Sequence, residues 1–172
     1  MEKAIKNRIP IHVDLQPNRD EVYSGICLKD NKEVFIFICF NEDTKEFDGY
    51  AILRSNEIER YRYWDKEELD EIINDNHSNF IDKLPLDKMN SFFECLDSLR
   101  EKELIAIFTA DDNDSYYVGK IENLTDTDLK FKLISESSEW LDSKDIKIKD
   151  ITYIGFDTSY ETELIKTFYN TQ

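Results

Sequence analysis

Glycine, proline, cysteine and histidine are all scarce in this chain of 172 residues, which has four, three, three and two of them. The cysteines, Cys27, Cys39 and Cys95, include no C-x-x-C pair, and an odd number of thiols without such spacing indicates a reducing compartment. The longest uncharged apolar run, residues 34–40, is too short to cross a membrane. Residues 1–10 have three cations but no apolar core, so we expect no signal peptide and a cytoplasmic location.

The sequence also lacks the residue patterns on which catalysis and metal binding depend. His12 alternates with Ile11 and Val13, so we expect its side chain to face solvent, and His77 lies in a polar run. No H-x-x-x-H, cysteine pair or glycine-rich phosphate loop is present, and the acidic run 111–114 lacks the glycine and distal Glu of an EF-hand. We therefore expect no catalytic residues, no metal and no cofactor, and a protein that is not an enzyme.

Negative charge is abundant. Lys plus Arg is 22 and Asp plus Glu is 38, so 22 − 38 gives a net charge of −16, which disfavours binding to nucleic acid or to an anionic membrane surface. The hydrophobic fraction of 40% and aromatic fraction of 13% provide enough apolar material for a packed core.

The chain repeats itself at an offset of 94 residues. Four identities fall at this offset without a gap: Ile11/Ile105, Asp20/Asp114, Tyr23/Tyr117 and Gly25/Gly119. After a slip of one residue, Ile58 falls on Ile151, and both copies then reach a helix start in which a capping residue, Asp65 or Thr158, precedes a Glu by three positions. The sequence thus predicts an internal duplication.

Each copy contains five short segments rich in β-branched and aromatic residues and separated by polar turns. The predicted strands are 9–15, 22–28, 33–40, 49–53 and 58–63 in the first copy, and 104–109, 116–122, 128–134, 145–148 and 152–156 in the second. Five strands in about sixty residues favour closure into a small barrel, with Gly25 and Gly119 at matching strand bends. The apolar segment 34–40 predicts a strand covered on both faces.

Helices are predicted at 66–81 and 87–100. The predicted fold class is mainly β with helices (α+β): two tandem five-stranded Sm-like or SH3-like barrels, related by internal duplication and joined by a helical segment. The expected domains are 1–82, the first barrel with its trailing helix, and 83–172, the linking helix, second barrel and C-terminal helix.

Two stretches carry a resemblance to known proteins. Residues 47–54 (FDGYAILR) followed by 57–61 (EIERY), and in the second copy residues 140–143 (WLDS) with 150–157 (DITYIGFD), resemble uncharacterised bacterial proteins with an Sm-like or SH3-like barrel. The second copy has Ser143 and Lys144 where the first has Gly49 and Tyr50. Among proteins with such barrels are RNA-binding proteins, protein-binding adaptors and immunity proteins that neutralise toxins, so the resemblance leaves function open.

The acidic residues are grouped. For most of them this is typical of a solvated surface that keeps the protein in solution, and it also fits a partner of opposite charge. The candidate contact residues are Glu42, Asp43, Glu46, Glu67, Glu68, Asp111, Asp112, Asp114, Asp126, Asp128, Glu136 and Glu139, with Trp64 and Trp140 as candidate aromatic anchors. The basic partners of small, cytoplasmic, non-catalytic proteins include the nuclease domains of bacterial toxins. We therefore expect a monomeric immunity protein that neutralises a cognate bacterial toxin by stoichiometric binding.

The alternative is an Sm-like RNA-binding or regulatory adaptor. Arg54, Arg60 and Arg62, interleaved with Tyr61, Tyr63 and Trp64, form the one basic and aromatic stretch suited to a nucleic acid. Strand alternation would place the arginines and the tyrosines on opposite faces, which weakens this hypothesis. A third possibility, an interaction module with no toxin partner, remains open.

Overall fold

A computed structural model describes residues 1–15, 22–72, 75–110 and 115–170. The chain divides into two compact units, Met1–Leu86 and Asp87–Gln172. The expected boundary lay four residues earlier, at 82/83. Both units are mostly β with short helices, as the sequence predicts.

Unit 1 contains five strands and two helices in its described residues. They are α1 (Glu2–Asn7), β1 (Pro10–Leu15), β2 (Val22–Asp30), β3 (Val34–Asn41), β4 (Glu46–Arg54), β5 (Ile58–Tyr63) and α2 (Lys66–Asp70). The strands are antiparallel in the order β5-β1-β2-β3-β4, and a single 3-10 turn, Ser55–Glu57, joins β4 to β5. Along β3, residues 34 to 38 and Phe40 are all buried, which confirms that both faces of this strand are covered.

Unit 2 has the same architecture. It consists of α3 (Phe92–Ser98), β6 (Ile105–Thr109), β7 (Ser115–Leu124), β8 (Asp128–Ile134), β9 (Trp140–Lys147), β10 (Ile151–Phe156) and α4 (Ser159–Asn170). Its strands follow the order β10-β6-β7-β8-β9, and the 3-10 turn Ile148–Asp150 joins β9 to β10. The predicted and observed strands therefore agree in number and in their order along the chain, although β4 and β9 begin earlier than predicted.

The two units also match in the positions at which their β-ladders shift register. The β2–β3 ladder shifts register between Cys27 and Lys29, and the β7–β8 ladder shifts between Ile121 and Asn123, 94 residues later. A second pair of shifts, at Ile38/Phe40 and at Lys132/Ile134, has the same offset.

Gly25 and Gly119 allow a neighbouring strand to come unusually close. A Cβ built on Gly25 would lie 1.9 Å from the backbone oxygen of Ile38, and one on Gly119 would lie 1.9 Å from the backbone oxygen of Lys132. Since Ile38 and Lys132 are also 94 residues apart, both units use the missing side chain for the same contact.

The helix lengths differ from the sequence prediction. The helix predicted at 66–81 ends at Asp70, because the side-chain amide of Asn76 forms hydrogen bonds with the backbone of β4. Its Oδ1 accepts from the Phe47 amide and its Nδ2 donates to the Phe47 carbonyl, each at 2.9 Å, which holds this segment against the strand. Tyr50 also donates to the carbonyl of Phe80, at 2.7 Å.

The helix predicted at 87–100 was likewise too long. It begins at Phe92, because Ser91 caps it by accepting the amide of Glu94 at 3.1 Å. The predicted capping box at Asp65 is confirmed, since Asp65 and Glu68 bond reciprocally. The amide of Thr158 donates to Glu161 at 2.9 Å at the start of α4. The short helix α1 was not predicted from the sequence.

All three cysteines are free thiols, with Cys27 and Cys95 buried and Cys39 half-buried. Burial raises the pKa of the Cys27 thiol far above its usual range. In the described part of the chain, no helix has both the length and the apolar character needed to cross a membrane.

Candidate functional site

A recess of about 180 Å³ opens on the surface of unit 1. We call it the His12 recess, and it is lined by His12, Phe40, Glu42, Lys45, Trp64, Glu68 and Glu71. Glu42 follows β3, while Glu68 and Glu71 lie in and just after α2. The structure thus brings two of the predicted contact residues, Glu42 and Glu68, together around one cavity.

The acidic walls of the recess are held by a turn and a helix start. In the β3–β4 turn, the side chain of Asn41 accepts the amides of Asp43 and Thr44 at 3.0 and 3.2 Å, which fixes the backbone that carries Glu42 and Asp43. The Glu42 carboxylate accepts a hydrogen bond from Ser24 Oγ at 3.3 Å. The turn is tied to α2 by an ion pair between Lys45 and Glu71, with Nζ and Oε2 2.7 Å apart.

Glu68 stays ionised across the physiological range. Arg62 donates to both of its carboxylate oxygens, at 3.0 and 2.8 Å, and the Asp65 amide donates to Oε2 at 2.8 Å. These bonds, the Arg62 contact foremost, lower the pKa of Glu68 to about 2. With His12 neutral, the recess walls carry three negative charges and one positive charge, which gives −3 + 1 = −2.

His12 is not the solvated residue that the sequence predicts. Its side chain is only 11% exposed. Its Nδ1 lies 2.8 Å from Ser24 Oγ and its Nε2 lies 3.0 Å from Glu68 Oε1. The ring stacks on Trp64 at a centroid distance of 5.2 Å. The side chain does point to the face opposite Ile11 and Val13, but α2 and Trp64 cover that face.

The Ser24–His12–Glu68 arrangement has the contacts of a hydrolytic triad, but its serine is not accessible to a substrate. Ser24 is 6% exposed, and the walls of the His12 recess do not include it. A nucleophile must reach its substrate, so the arrangement reads as a buried polar network that attaches α2 to the sheet.

The position in unit 2 that corresponds to this polar network is apolar. At the offsets of 94 and 93 residues, His12, Ser24 and Glu68 correspond to Ala106, Val118 and Glu161. Ala106 and Val118 belong to an apolar cluster with Leu104, Ile134 and Leu164. The fold therefore does not require a polar group here, and the polar group of unit 1 is a difference between the two units.

Trp64 requires a correction as a candidate anchor. It is 7% exposed and packs edge-on against Phe40 at a centroid distance of 4.8 Å, so its ring is not available to insert into a partner. Its indole Nε1 is buried and finds no hydrogen-bond acceptor among the described residues. Trp140, in contrast, is half-buried and contacts Phe168 at a centroid distance of 5.8 Å.

The other acidic candidates do not form one patch. Glu42, Asp43 and Glu67 are exposed and Glu46 is half-exposed in unit 1. In unit 2, Asp126 and Asp128 precede and begin β8, while Glu136 and Glu139 follow its end, so the seven residues of β8, about 20 Å, separate the two pairs. Lys147 and Thr127 bond to Asp128 and lower its pKa. Asp111, Asp112 and Asp114 lie outside the described residues.

The candidate RNA-binding arginines are engaged with carboxylates. Arg60 pairs with Asp14, and Arg62 with Glu68. These hydrogen bonds raise the pKa of both guanidinium groups. Arg54 ends β4 and is half-exposed. Tyr61 and Tyr63 are 40% and 42% exposed and contact each other at a centroid distance of 6.2 Å, on the same side of β5.

Comparison of the chain with protein-family models, with curated proteins and with solved structures found no match.

Proposed function

We propose that this protein is a non-enzymatic, cytoplasmic immunity protein, monomeric on its own, that neutralises a basic, nuclease-type toxin by stoichiometric binding. The observation that carries the proposal is the convergence of Glu42, Glu68 and Glu71 on the His12 recess. Glu68 and Glu71 are already paired with Arg62 and Lys45, so they add to the long-range attraction of a cationic partner, and local pairing with the partner is assigned to the exposed Glu42 and Glu67.

We also propose that each unit is an Sm-like or SH3-like barrel and that the two arose by duplication. The strand order β5-β1-β2-β3-β4 and the 3-10 turn before the last strand, repeated in unit 2, support this assignment. The coincident register shifts support a common origin. A rigid β scaffold suits a binding protein, because little conformational entropy is then lost when the partner docks.

The contact surface is assigned to the β3–β4 turn and the beginning of α2 in unit 1. Glu42 and Glu67 are both exposed there, so reversing their charge changes the surface. Glu42 also accepts a hydrogen bond from the buried Ser24, so circular dichroism of the variant is needed to confirm that it is folded. Asp126 and Asp142 in unit 2 are equally exposed and provide a matched pair with the same change in net charge.

The experiment co-expresses the chain with the toxic product of the adjacent reading frame and measures cell survival and co-purification at low and high salt. We expect Glu42→Lys with Glu67→Lys to abolish protection and to weaken the complex about a hundredfold. Asp126→Lys with Asp142→Lys should retain most of both. Absence of protection and of a complex with the unaltered chain would refute the immunity function, while equal losses in the two double variants would refute the assigned surface.

The RNA-binding alternative depends on Tyr61 and Tyr63, whose exposed rings have room for stacked bases. It has less support than the immunity function, because Asp14 and Glu68 neutralise the adjacent arginines. Oligonucleotide binding that disappears in Arg60→Gln with Arg62→Gln, with toxin protection intact, would favour the adaptor function.

A further inference from the structure

A second and larger recess, of about 320 Å³, lies within unit 2. We call it the Trp140 recess. Its apolar walls include Ile134, Trp140, Ile165 and Phe168, so β8, β9 and α4 each contribute a large side chain. The volume lies at the lower end of the range of about 300–1,000 Å³ that is typical of small-molecule sites.

The aromatic part of the recess is partly open. Trp140 and Phe168 are half-buried and meet edge to face at 5.8 Å. Ile165 is half-buried beside them and packs on the apolar cluster of unit 2. A flat apolar group entering here would contact ring and aliphatic surfaces that are now partly in water.

The rim of the recess has a cation without a carboxylate partner. Lys120 Nζ lies 4.7 Å from the centroid of the Trp140 ring and, within the part of the chain that the structure describes, has no carboxylate oxygen within 4.0 Å. The other two rim cations are paired, Arg100 with Asp97 at 2.8 Å and Lys102 with Asp157 at 2.5 Å. Two carboxylates, Glu101 and Glu103, also line the recess, and Glu103 accepts a hydrogen bond from the Tyr169 hydroxyl at 2.9 Å. Because Arg100 and Lys102 are paired, Lys120, beside the Trp140 ring, is the rim cation available to accept an anion.

The corresponding position in unit 1 is filled. At the offset of 94 residues Lys120 corresponds to Ile26, and Trp140 corresponds to Phe47 because they are the ladder partners of the matching residues Ile134 and Phe40. Ile26 and Phe47 are 1% and 2% exposed, so unit 1 has buried apolar side chains where unit 2 has a recess with a cation at its edge.

We propose that the Trp140 recess binds a small planar aromatic molecule that carries one anionic group. The ring system lies against Trp140 and Phe168, and the anionic group pairs with the Lys120 ammonium. This ligand site is independent of the proposed toxin-binding surface, which lies in unit 1.

The test uses a pair of dyes with the same aromatic body, the anionic 1-anilinonaphthalene-8-sulfonate and the neutral N-phenyl-1-naphthylamine. Each is titrated by fluorescence into the native chain, and the Trp140 indole resonance is followed by NMR. We expect one anionic dye to bind per chain and to shift the Trp140 signal. Lys120→Gln should weaken the anionic dye about five- to tenfold and leave the neutral dye unchanged, because only the ion pair is lost.

Lys149→Gln is the matched control, since Lys149 is exposed, lies outside the recess and carries the same charge. It should bind both dyes as the native chain does. The proposal fails if the native chain binds no anionic dye stoichiometrically, if the two lysine variants lose affinity equally, or if binding leaves the Trp140 resonance in place. Circular dichroism of each variant confirms that it is folded before titration.

Discussion

Replacing Gly119 by alanine tests the close approach of β7 and β8. A Cβ at this position would lie 1.9 Å from the backbone oxygen of Lys132 and 3.1 Å from the Cα of Leu133. Because comfortable carbon–oxygen contacts are about 3.3–3.6 Å, the strands would have to separate by roughly 1.5 Å, which breaks ladder hydrogen bonds on either side.

The cost follows from these distances. Overpacking of this kind costs about 1–3 kcal/mol, and each strained or lost ladder bond adds about 1 kcal/mol. Alanine recovers only about 0.5–1 kcal/mol through the lower entropy of its unfolded chain. We therefore expect Gly119→Ala to lower the free energy of unfolding by about 3 kcal/mol, and Gly25→Ala by a similar amount, since it meets Ile38 in the same way.

Gly155→Ala is the control within the same unit. Its Cβ would meet the end of the Tyr153 side chain, 2.5 Å from the hydroxyl oxygen, and a side chain can rotate away where a backbone cannot. Its effect should stay within about 1 kcal/mol. The assay is denaturation by guanidinium chloride, followed by circular dichroism. If Gly119→Ala were no less stable than Gly155→Ala, the close-approach explanation of the paired glycines would be refuted.

Two further predictions concern the polar network at the His12 recess. His12→Ala should lower the free energy of unfolding by about 2–3 kcal/mol, because it leaves Ser24 buried without its histidine partner. Adding Ser24→Val, which reproduces the Ala106 and Val118 of unit 2, should recover about 1 kcal/mol. If the double variant were no more stable in denaturant than His12→Ala alone, the stabilising role of the network would be contradicted. Since the pKa of Glu68 is about 2 in the folded protein and its ordinary value is 4.5, its ionised form stabilises the fold above about pH 4.5 and this contribution is lost as the pH falls towards 2. In parallel denaturant titrations, Glu68→Gln should therefore have a lower free energy of unfolding than the native chain at pH 6, and this difference should disappear towards pH 2. A difference that does not depend on pH would show that the charge of Glu68 is not what stabilises the fold.

The strands could be predicted because their signal is local. Alternation such as Leu129, Phe131 and Leu133 predicts the strand β8, and Leu129 and Phe131 are buried as it indicates. Leu133 is only half-buried and Ile134 is buried instead, because the register shifts between Lys132 and Ile134. The internal sequence repeat then provided each prediction twice, so that a weak segment in one half was supported by a stronger one in the other. The capping residue Asp65 was identifiable for the same reason, since its partner lies only three residues away.

The helix ends and the His12 recess depend on contacts that are distant in sequence. α2 stops early because Asn76 bonds to the backbone of Phe47, 29 residues away. His12 is covered because Trp64 and Glu68 return to β1 from more than fifty residues further along the chain. One signal was available in the sequence: unit 1 has polar residues, His12 and Ser24, where unit 2 has Ala106 and Val118.

The register shifts at matching positions have a consequence for recombining the chain. A bulge inverts the assignment of side chains to the two faces of a strand for every residue beyond it. Because both units invert at the same places, a given position points to the same face of its strand in both. Hairpins exchanged between the two units would therefore keep the assignment of side chains to faces, but β8 would bring Lys130 and Lys132 to the positions where Ile36 and Ile38 are buried. Matching register is thus conserved between the units while the covering of the outer face is not.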